Sequence, residues 1–324
     1  MLEHGGNLSL AATQYGIPLE SWLDLSTGIN PNNYPIAEIP ASVWQKLPDD
    51  NDGLAEAACA YYRSQFALPT AGSQAALQVL PKLRPPCKVA MLDPMYKEHA
   101  RAWQRHGHQV NTFAGLDDEE AINAVDVVLL CNPNNPTATQ FSAQALLNLH
   151  AKLTSRGGWL VVDEAFMDAT PQHSIAQHAH LDGLFVLRSL GKFFGLAGAR
   201  VGFLIAEKAQ LNKIQEKLGP WTISGPSRFV AKQALNDKAW QQNTRQQLAE
   251  NSRRLAVLLN RYNLTPQAGT ALFQHVPTNV ANTWQQHLAK QGIWVRLFTE
   301  TPALRFGLPT ENGWDRLENA LKTF

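Results

Sequence analysis

The sequence predicts an α/β fold, a three-layer α/β/α large domain built on a mostly parallel sheet, with a smaller α+β domain after it. Three observations predict it. From about residue 86 short runs recur that are apolar throughout, as strands covered on both faces must be. Helical stretches separate these runs. Beyond about residue 220 the alternation gives way to one long helical stretch and then to short, separate strands.

In order, Val89-Ala90-Met91-Leu92 reads as a strand, followed by a polar helix-like segment and the strand Val127-Val128-Leu129-Leu130. A helix over Ala143 to Leu153 comes next, then strands at Trp159–Val162, Leu184–Leu187 and Val201–Leu204. The later helical stretch runs near Asp237 to Asn260, and short strands are expected around Phe273, Val295 and Phe306. The opening 45 or so residues are rich in Pro, Asn and Gly, so an arm over a cleft is expected there in place of an independent domain. The division that results is 1–45 as the arm and part of the small domain, 46–215 as the large domain and 216–324 as the small C-terminal domain.

Composition excludes several classes of function. Lys plus Arg number 28 against 27 for Asp plus Glu, so a net charge of +1 gives no field for capturing nucleic acid or an anionic membrane. A small-molecule partner is expected. Cys59, Cys87 and Cys131 form no paired C-x-x-C pattern, which argues for a reducing, cytoplasmic setting and against a disulfide or zinc framework. Met1 to Gly6 carries no basic or apolar leader, and no apolar run approaches the roughly 18 residues that span a bilayer, so neither export nor a membrane is expected.

Ligands of open α/β sheets bind beyond the carboxyl ends of the strands, so the polar residues after the apolar runs are the candidates. Arg188-Ser189-Leu190-Gly191-Lys192-Phe193-Phe194-Gly195 places a lysine among glycines and aromatics, where desolvation favours a neutral amine able to form an imine with an aldehyde cofactor. Asp163 ends a buried strand and suits a pyridine nitrogen that must stay protonated, although a helix cap or a metal ligand would look the same in isolation. Asn132-Pro133-Asn134-Asn135-Pro136-Thr137 is a turn that places an amide where a phenolic oxygen could bind. Ala71-Gly72-Ser73-Gln74 opens a helix whose N–H groups suit a phosphate, and Arg200 adds a permanent charge. Each motif is common singly; their order along the chain is not.

Together these residues resemble the fold type I pyridoxal 5′-phosphate enzymes, the aspartate aminotransferase superfamily, along nearly the whole chain. The resemblance implies that Lys192 attaches the cofactor covalently and later moves a proton, that Asp163 serves the ring nitrogen and Asn135 the ring hydroxyl, and that Tyr96 stacks on the ring. Ser189 and Arg200, with the N–H groups at Gly72, Ser73 and Gln74, would hold the cofactor phosphate, and Arg305 the substrate carboxylate. It also implies a homodimer. Three departures turn the reading away from simple transamination: Phe166 where many aminotransferases have a tyrosine, Ala138 for a glycine, and Leu47 where a tyrosine from the partner subunit often reaches the cofactor phosphate. His4-Gly5-Gly6-Asn7, the Leu25 to Pro31 segment containing Asn30, and Asp163-Glu164-Ala165-Phe166 resemble the threonine-phosphate decarboxylase branch, which serves cobalamin biosynthesis. That branch implies a substrate phosphate read by His4 and Arg296, and a lyase reaction giving carbon dioxide.

Four other readings compete. An aminotransferase similar to histidinol-phosphate aminotransferase would share the cofactor residues, because the bond cleaved depends on which one lies perpendicular to the ring. Ser189-Leu190-Gly191-Lys192 also reads as the S-x-x-K of a serine hydrolase, but no S-D-N or K-T-G accompanies it. His173, His178 and His180 fit no compact metal spacing, so no metal is expected. A non-catalytic binding protein is opposed by the intact Lys192 and Asp163.

Overall fold

The computed structural model describes residues 5–324. Its strands are β1 (Leu23–Leu25), β2 (Leu68–Thr70), β3 (Lys88–Leu92), β4 (Gln109–Phe113), β5 (Val127–Cys131), β6 (Trp159–Asp163), β7 (Leu184–Ser189), β8 (Gly202–Ile205), β9 (Ala268–Thr270), β10 (Phe273–Pro277), β11 (Ile293–Phe298) and β12 (Ala303–Gly307). The helices are α1 (Leu8–Tyr15), α2 (Ala41–Gln45), α3 (Leu54–Tyr62), α4 (Ser73–Val79), α5 (Glu98–Arg105), α6 (Glu119–Asn123), α7 (Ala143–Thr154), α8 (Lys208–Leu218), α9 (Gly225–Asn236), α10 (Lys238–Arg261), α11 (Ala281–Lys290) and α12 (Trp314–Lys322).

The larger of two compact units holds residues 34–135 and 139–241. Its seven-stranded sheet runs β2-β8-β7-β6-β5-β3-β4, with β3 to β7 mutually parallel and β8 antiparallel to both neighbours. Every residue of β5 and β6 is buried, because parallel strands joined by helical crossovers are covered on both faces. Helix α7, the crossover between them, is capped by Ser142, whose hydroxyl accepts from Ala145 N at 3.2 Å. It buries Leu146, Leu149, His150 and Leu153 at helical spacing. The segment after Leu92, expected to be a polar helix, is instead α5, the edge strand β4 and α6. Only Phe113 of β4 is buried, so that strand lacked the apolar run that marks its neighbours.

Helices α8 and α9 also belong to this unit, although the sequence placed most of that stretch in the smaller domain. The reason is a tether. Arg228 on α9, nearly buried, donates to Asp52 Oδ2 and Oδ1 at 2.9 and 2.8 Å and to Asp50 Oδ1 at 3.2 Å, and Lys232 Nζ donates to Asp52 O at 2.6 Å. Those bonds bind α9 to the loop that opens α3, against which it packs.

The smaller unit holds the described residues up to Asn33, together with 136–138 and 242–324. Its sheet runs β1-β11-β12-β10-β9, with β1 parallel to β11 and the remaining pairs antiparallel. The early residues therefore contribute a strand to this sheet. Helix α1 sits beside α11, where Ala11, Trp22 and Ala289 form a small core and Tyr15, Trp22 and Trp294 meet edge to face. Ile293, Val295, Leu304, Phe306 and Val276 face one way and are buried, whereas Trp294, Arg296, Arg305 and His275 alternate to the other face.

Ala138 stands with φ of 60°, in the left-handed region that an L side chain occupies at a cost of about 1–2 kcal/mol and that glycine enters freely. Ala138→Gly is expected to raise stability by about 0.5–1 kcal/mol, read as a higher urea midpoint at unchanged slope. A lower midpoint would show that the alanine methyl packs well enough to outweigh its strain.

Candidate active site

In the larger unit the carboxyl ends of β5, β6 and β7 lie level, with Cys131 opposite Asp163 and Asp163 opposite Leu187. Asp163, the central one, is 7% exposed. Its Oδ1 accepts from Ala165 N at 3.0 Å and its Oδ2 lies 2.8 Å from Nε2 of His99, itself 1% exposed. A buried carboxylate held by two donors stays available to a cationic group placed beside it. His99 was not singled out from the sequence. Its signal is proximity: it lies three residues after Tyr96, in the first turn of α5, and the two rings meet edge to face at 6.0 Å.

Cys131 is the third member of this corner. Burial, then the Asp163 charge, pushes its thiol well above the ordinary range, and the backbone N–H groups of Tyr96 and Asn135 point at the sulfur. His99, Cys131 and Asp163 bring their ligand atoms within 4.8 Å of one another, the grouping among the described residues that could hold a metal. His173, His178 and His180 do not converge in this way. The turn that carries Asn135 is fixed by its neighbours: Asn132 exchanges hydrogen bonds with the backbone of Phe141 at 3.1 and 2.9 Å, and Asn134 Nδ2 donates to Pro94 O at 2.8 Å.

Tyr96 donates to Gln74 Oε1 at 3.4 Å, and burial pushes its phenol up to about 12, so it keeps its proton at neutral pH. Gln74 belongs to the first turn of α4. Just before that turn Gly72 has φ of 73°, and a Cβ there would lie 2.6 Å from Arg200 Nη2, so the guanidinium rests on the glycine. Arg200 is itself left-handed, with φ of 52°. A Cβ on Gly202 would strike Ser73 N, which shows how closely β8 approaches the start of α4. Ser189, opposite Gly202, accepts from Gly191 N at 3.2 Å, and Lys192 Nζ lies 5.2 Å from the centre of the Phe166 ring. The structure thus brings Gly72, Ser73, Gln74, Tyr96 and Arg200 together, and Asn135 with Asp163. Lys192 is set against an aromatic face.

In the smaller unit His275 lies opposite Arg305 and Arg305 opposite Arg296, three basic side chains in register on one face. Burial, then the Arg296 charge, lowers the Arg305 guanidinium to about 10, while Asp24 acts in the opposite sense. Burial, then Arg305, likewise lowers His275, which the sequence reading passed over. Arg305 Nη2 donates to Ser26 O at 2.5 Å, and Ser26 Oγ receives Gly6 N at 2.8 Å. A Cβ on Gly5 would run into Ser26 O, so only glycine fits there. Asn30 is buried, and its Oδ1 accepts from Asn32 N at 2.9 Å. His4 lies outside the described residues. An excess of positive charge on this face suits an anion.

Residues 47–321 match the family aminotransferase class I and II. The threonine-phosphate decarboxylase of Pseudomonas aeruginosa is 49% identical over 325 residues, covering 100% of this chain and 98% of that protein. The threonine-phosphate decarboxylase of a Sinorhizobium species is 40% identical, covering 98% of this chain and 97% of that one. Among solved structures, the histidinol-phosphate aminotransferase of Sinorhizobium meliloti in complex with pyridoxal-5′-phosphate superposes with a TM-score of 0.86 at 19% identity, over 99% of this chain and 96% of that chain.

Because Asp163 keeps its burial and loses a donor, His99→Ala is expected to lower the unfolding free energy by about 1.5–3 kcal/mol in urea titration. His99→Gln, which can still donate, should lose less; equal losses would assign the effect to packing.

Proposed function

Because the chain belongs to the class I and II aminotransferase family, we propose that its candidate site is that of a pyridoxal 5′-phosphate lyase, a threonine-phosphate decarboxylase. It converts L-threonine O-3-phosphate to (R)-1-amino-2-propanol O-phosphate and carbon dioxide, for cobalamin biosynthesis. The observation that carries this reading is the likeness, over both full lengths, to two threonine-phosphate decarboxylases.

The residues fit the cofactor. A protonated ring nitrogen needs a buried carboxylate, and Asp163 is one; a phosphate needs a close backbone and a permanent charge, which Gly72 and Arg200 supply. When bound, pyridoxal phosphate supplies an aldehyde for imine formation and an electron-withdrawing ring that stabilises negative charge at the amino-acid Cα. Lys192 would attach it and would be the residue that delivers a proton to Cα in place of the departing carbon dioxide. Asp163 holds the proton at the ring nitrogen, with His99 fixing the carboxylate. Asn135 would bind the ring hydroxyl, and the Tyr96 ring would lie against the cofactor ring. Ser73, Gln74 and Ser189 complete the phosphate contacts begun by Gly72 and Arg200. In the smaller unit Arg305 takes the substrate carboxylate, Arg296 and His4 its phosphate, and Asn30 lies on the segment that lines the substrate.

The reading includes a homodimer in the cytoplasm. Ile36, Trp44 and Leu47 are 57%, 67% and 68% exposed on one short stretch, an apolar surface that calls for cover. Tyr34 N donates to Phe194 O at 2.8 Å just before this stretch, and a Cβ on Gly225 would meet Val43 O within it, so the stretch is held in place. The three cysteines are free, and no helix among the described residues is long and apolar enough to cross a membrane.

Incubated with cofactor and L-threonine O-3-phosphate, the protein is expected to release carbon dioxide and the amino-alcohol phosphate at a rate that 2-oxoglutarate does not change. Glutamate formed at the expense of carbon dioxide would make it an aminotransferase. A second prediction concerns the substrate phosphate. Loss of a hydrogen bond to a charged group costs roughly 1.5–3 kcal/mol, so Arg296→Ala should lower kcat/KM for the phosphorylated substrate about ten- to a hundredfold while that for threonine scarcely moves. Equal losses on both substrates would show that Arg296 supports the fold.

A further inference from the structure

Behind the carboxyl ends of β6 and β7 lies an ion cluster that no step above uses. Arg188 Nη1 pairs with Glu164 Oε2 and Nη2 with Asp168 Oδ1, each at 2.5 Å, and the side chains of all three are at most 1% exposed. Ser174 Oγ donates to Glu164 Oε2 at 2.5 Å, and Ile175 N to Glu164 Oε1 at 2.9 Å. Arg188 also lies 4.5 Å over the ring of Tyr62. Burial raises the Glu164 carboxyl above its ordinary range; for Arg188 burial acts downward, but Asp168 and Glu164 hold the guanidinium raised.

Stability does not explain this arrangement. Two carboxylates share one guanidinium out of water, and burying ions costs about as much as their attraction returns, so apolar residues of similar volume would often serve as well. Position is the better account. Glu164 follows Asp163 directly, and its N–H donates to Leu187 O at 2.9 Å, locking β6 to β7. Arg188 precedes Ser189 and stands four residues before Lys192. Phe166 sits midway between Glu164 and Asp168, both of which are fastened to the same guanidinium. A turn stapled at both ends cannot swing, and the ring it carries is the one 5.2 Å from Lys192 Nζ.

We infer that Glu164, Arg188 and Asp168 are positioning residues, a clamp that seats Phe166 against Lys192 so that positive charge at the lysine nitrogen is favoured. An aromatic face stabilises a nearby cation, and the effect decays once the ring can turn away. The clamp thereby tunes the group that attaches the cofactor without touching cofactor or substrate. This inference rests on the assignment of Lys192 above.

The test uses the holoprotein and reads the visible band of the bound cofactor against pH. Asp168→Asn opens one end of the staple. A cation-π contact of this kind is worth a shift of about 0.4–0.7 pH unit, so the midpoint of the band should fall by that much in Asp168→Asn and in Phe166→Leu. The double variant should fall no further than either single one, because both remove the same contact. Additive shifts, or an unmoved midpoint beside a lowered melting temperature, would overturn the inference and leave the cluster structural. Should Asp168→Asn fail to fold, Arg188→Lys, whose single ammonium keeps the charge but lacks the planar fork that bridges both carboxylates, is read in the same way, with an unmoved midpoint again overturning it. Borohydride reduction and peptide mapping accompany each titration: a pyridoxyl group on a lysine other than Lys192 would sink the underlying assignment, a failure distinct from an unshifted midpoint on a correctly mapped Lys192.

Discussion

A carboxylate at the buried end of a central strand must be paired, and the larger unit is organised around that requirement at Asp163. Strand β6 sits between β5 and β7, in register with both, so whatever follows each strand meets at one edge. Its neighbours across the register are a neutral thiol, Cys131, and the apolar Leu187, neither of which competes for a cation placed at Asp163. The donors come from elsewhere, the imidazole of His99 on α5 and the N–H of Ala165. Asp163 is thereby kept as an acceptor facing an otherwise neutral corner, which is the electrostatic condition for holding a protonated ring nitrogen.

The sheet core was legible in the sequence because parallel strands covered on both faces cannot avoid being apolar at every position; Val127–Leu130, Trp159–Val162 and Leu184–Leu187 all fall inside strands. The edge strand Gln109–Phe113 was hidden for the converse reason, since its pattern of burial is partial and its residues polar. Leu23–Leu25 is too short to show any period, and it exists because β11 offers it a partner. Domain limits depend on partners in the same way: the local pattern of α9 shows a helix, while Arg228 and the two aspartates near residue 50 decide which body it joins. At the site, the residues in compact motifs were readable by type and order. His99 and His275 were not, because their meaning lies in the side chains they meet, Asp163 on β6 and Arg305 on β12.

The row His275, Arg305, Arg296 shows how register creates a property absent from any one residue. Like charges directly opposite one another on adjacent strands repel, so the row destabilises an isolated sheet. Two adjustments limit that cost: His275 is kept toward its neutral form, and Arg305 gives a hydrogen bond to Ser26 O. Asp24, whose Oδ1 accepts Ser26 N and Ser26 Oγ at 2.8 and 2.6 Å, adds a carboxylate that acts on Arg305 in the compensating sense. The proposed substrate, with a carboxylate and a phosphate, would bring charges of the opposite sign to this row.

Phe166 connects the clamp to the choice of reaction. A tyrosine at this position would set a phenol near Lys192; phenylalanine removes it and leaves an apolar face against the lysine nitrogen. Tyr96, the other phenol near this corner, is occupied by Gln74 and held in its protonated form by burial. In the proposed reaction Lys192 is then the residue that carries the proton. Transamination needs a proton removed from Cα and returned to a different carbon, whereas decarboxylation needs only a single delivery to Cα once carbon dioxide has gone. One lysine can serve both sequences, so the division between them lies in which bond at Cα the pocket holds perpendicular to the ring, the one to the carboxylate or the one to hydrogen.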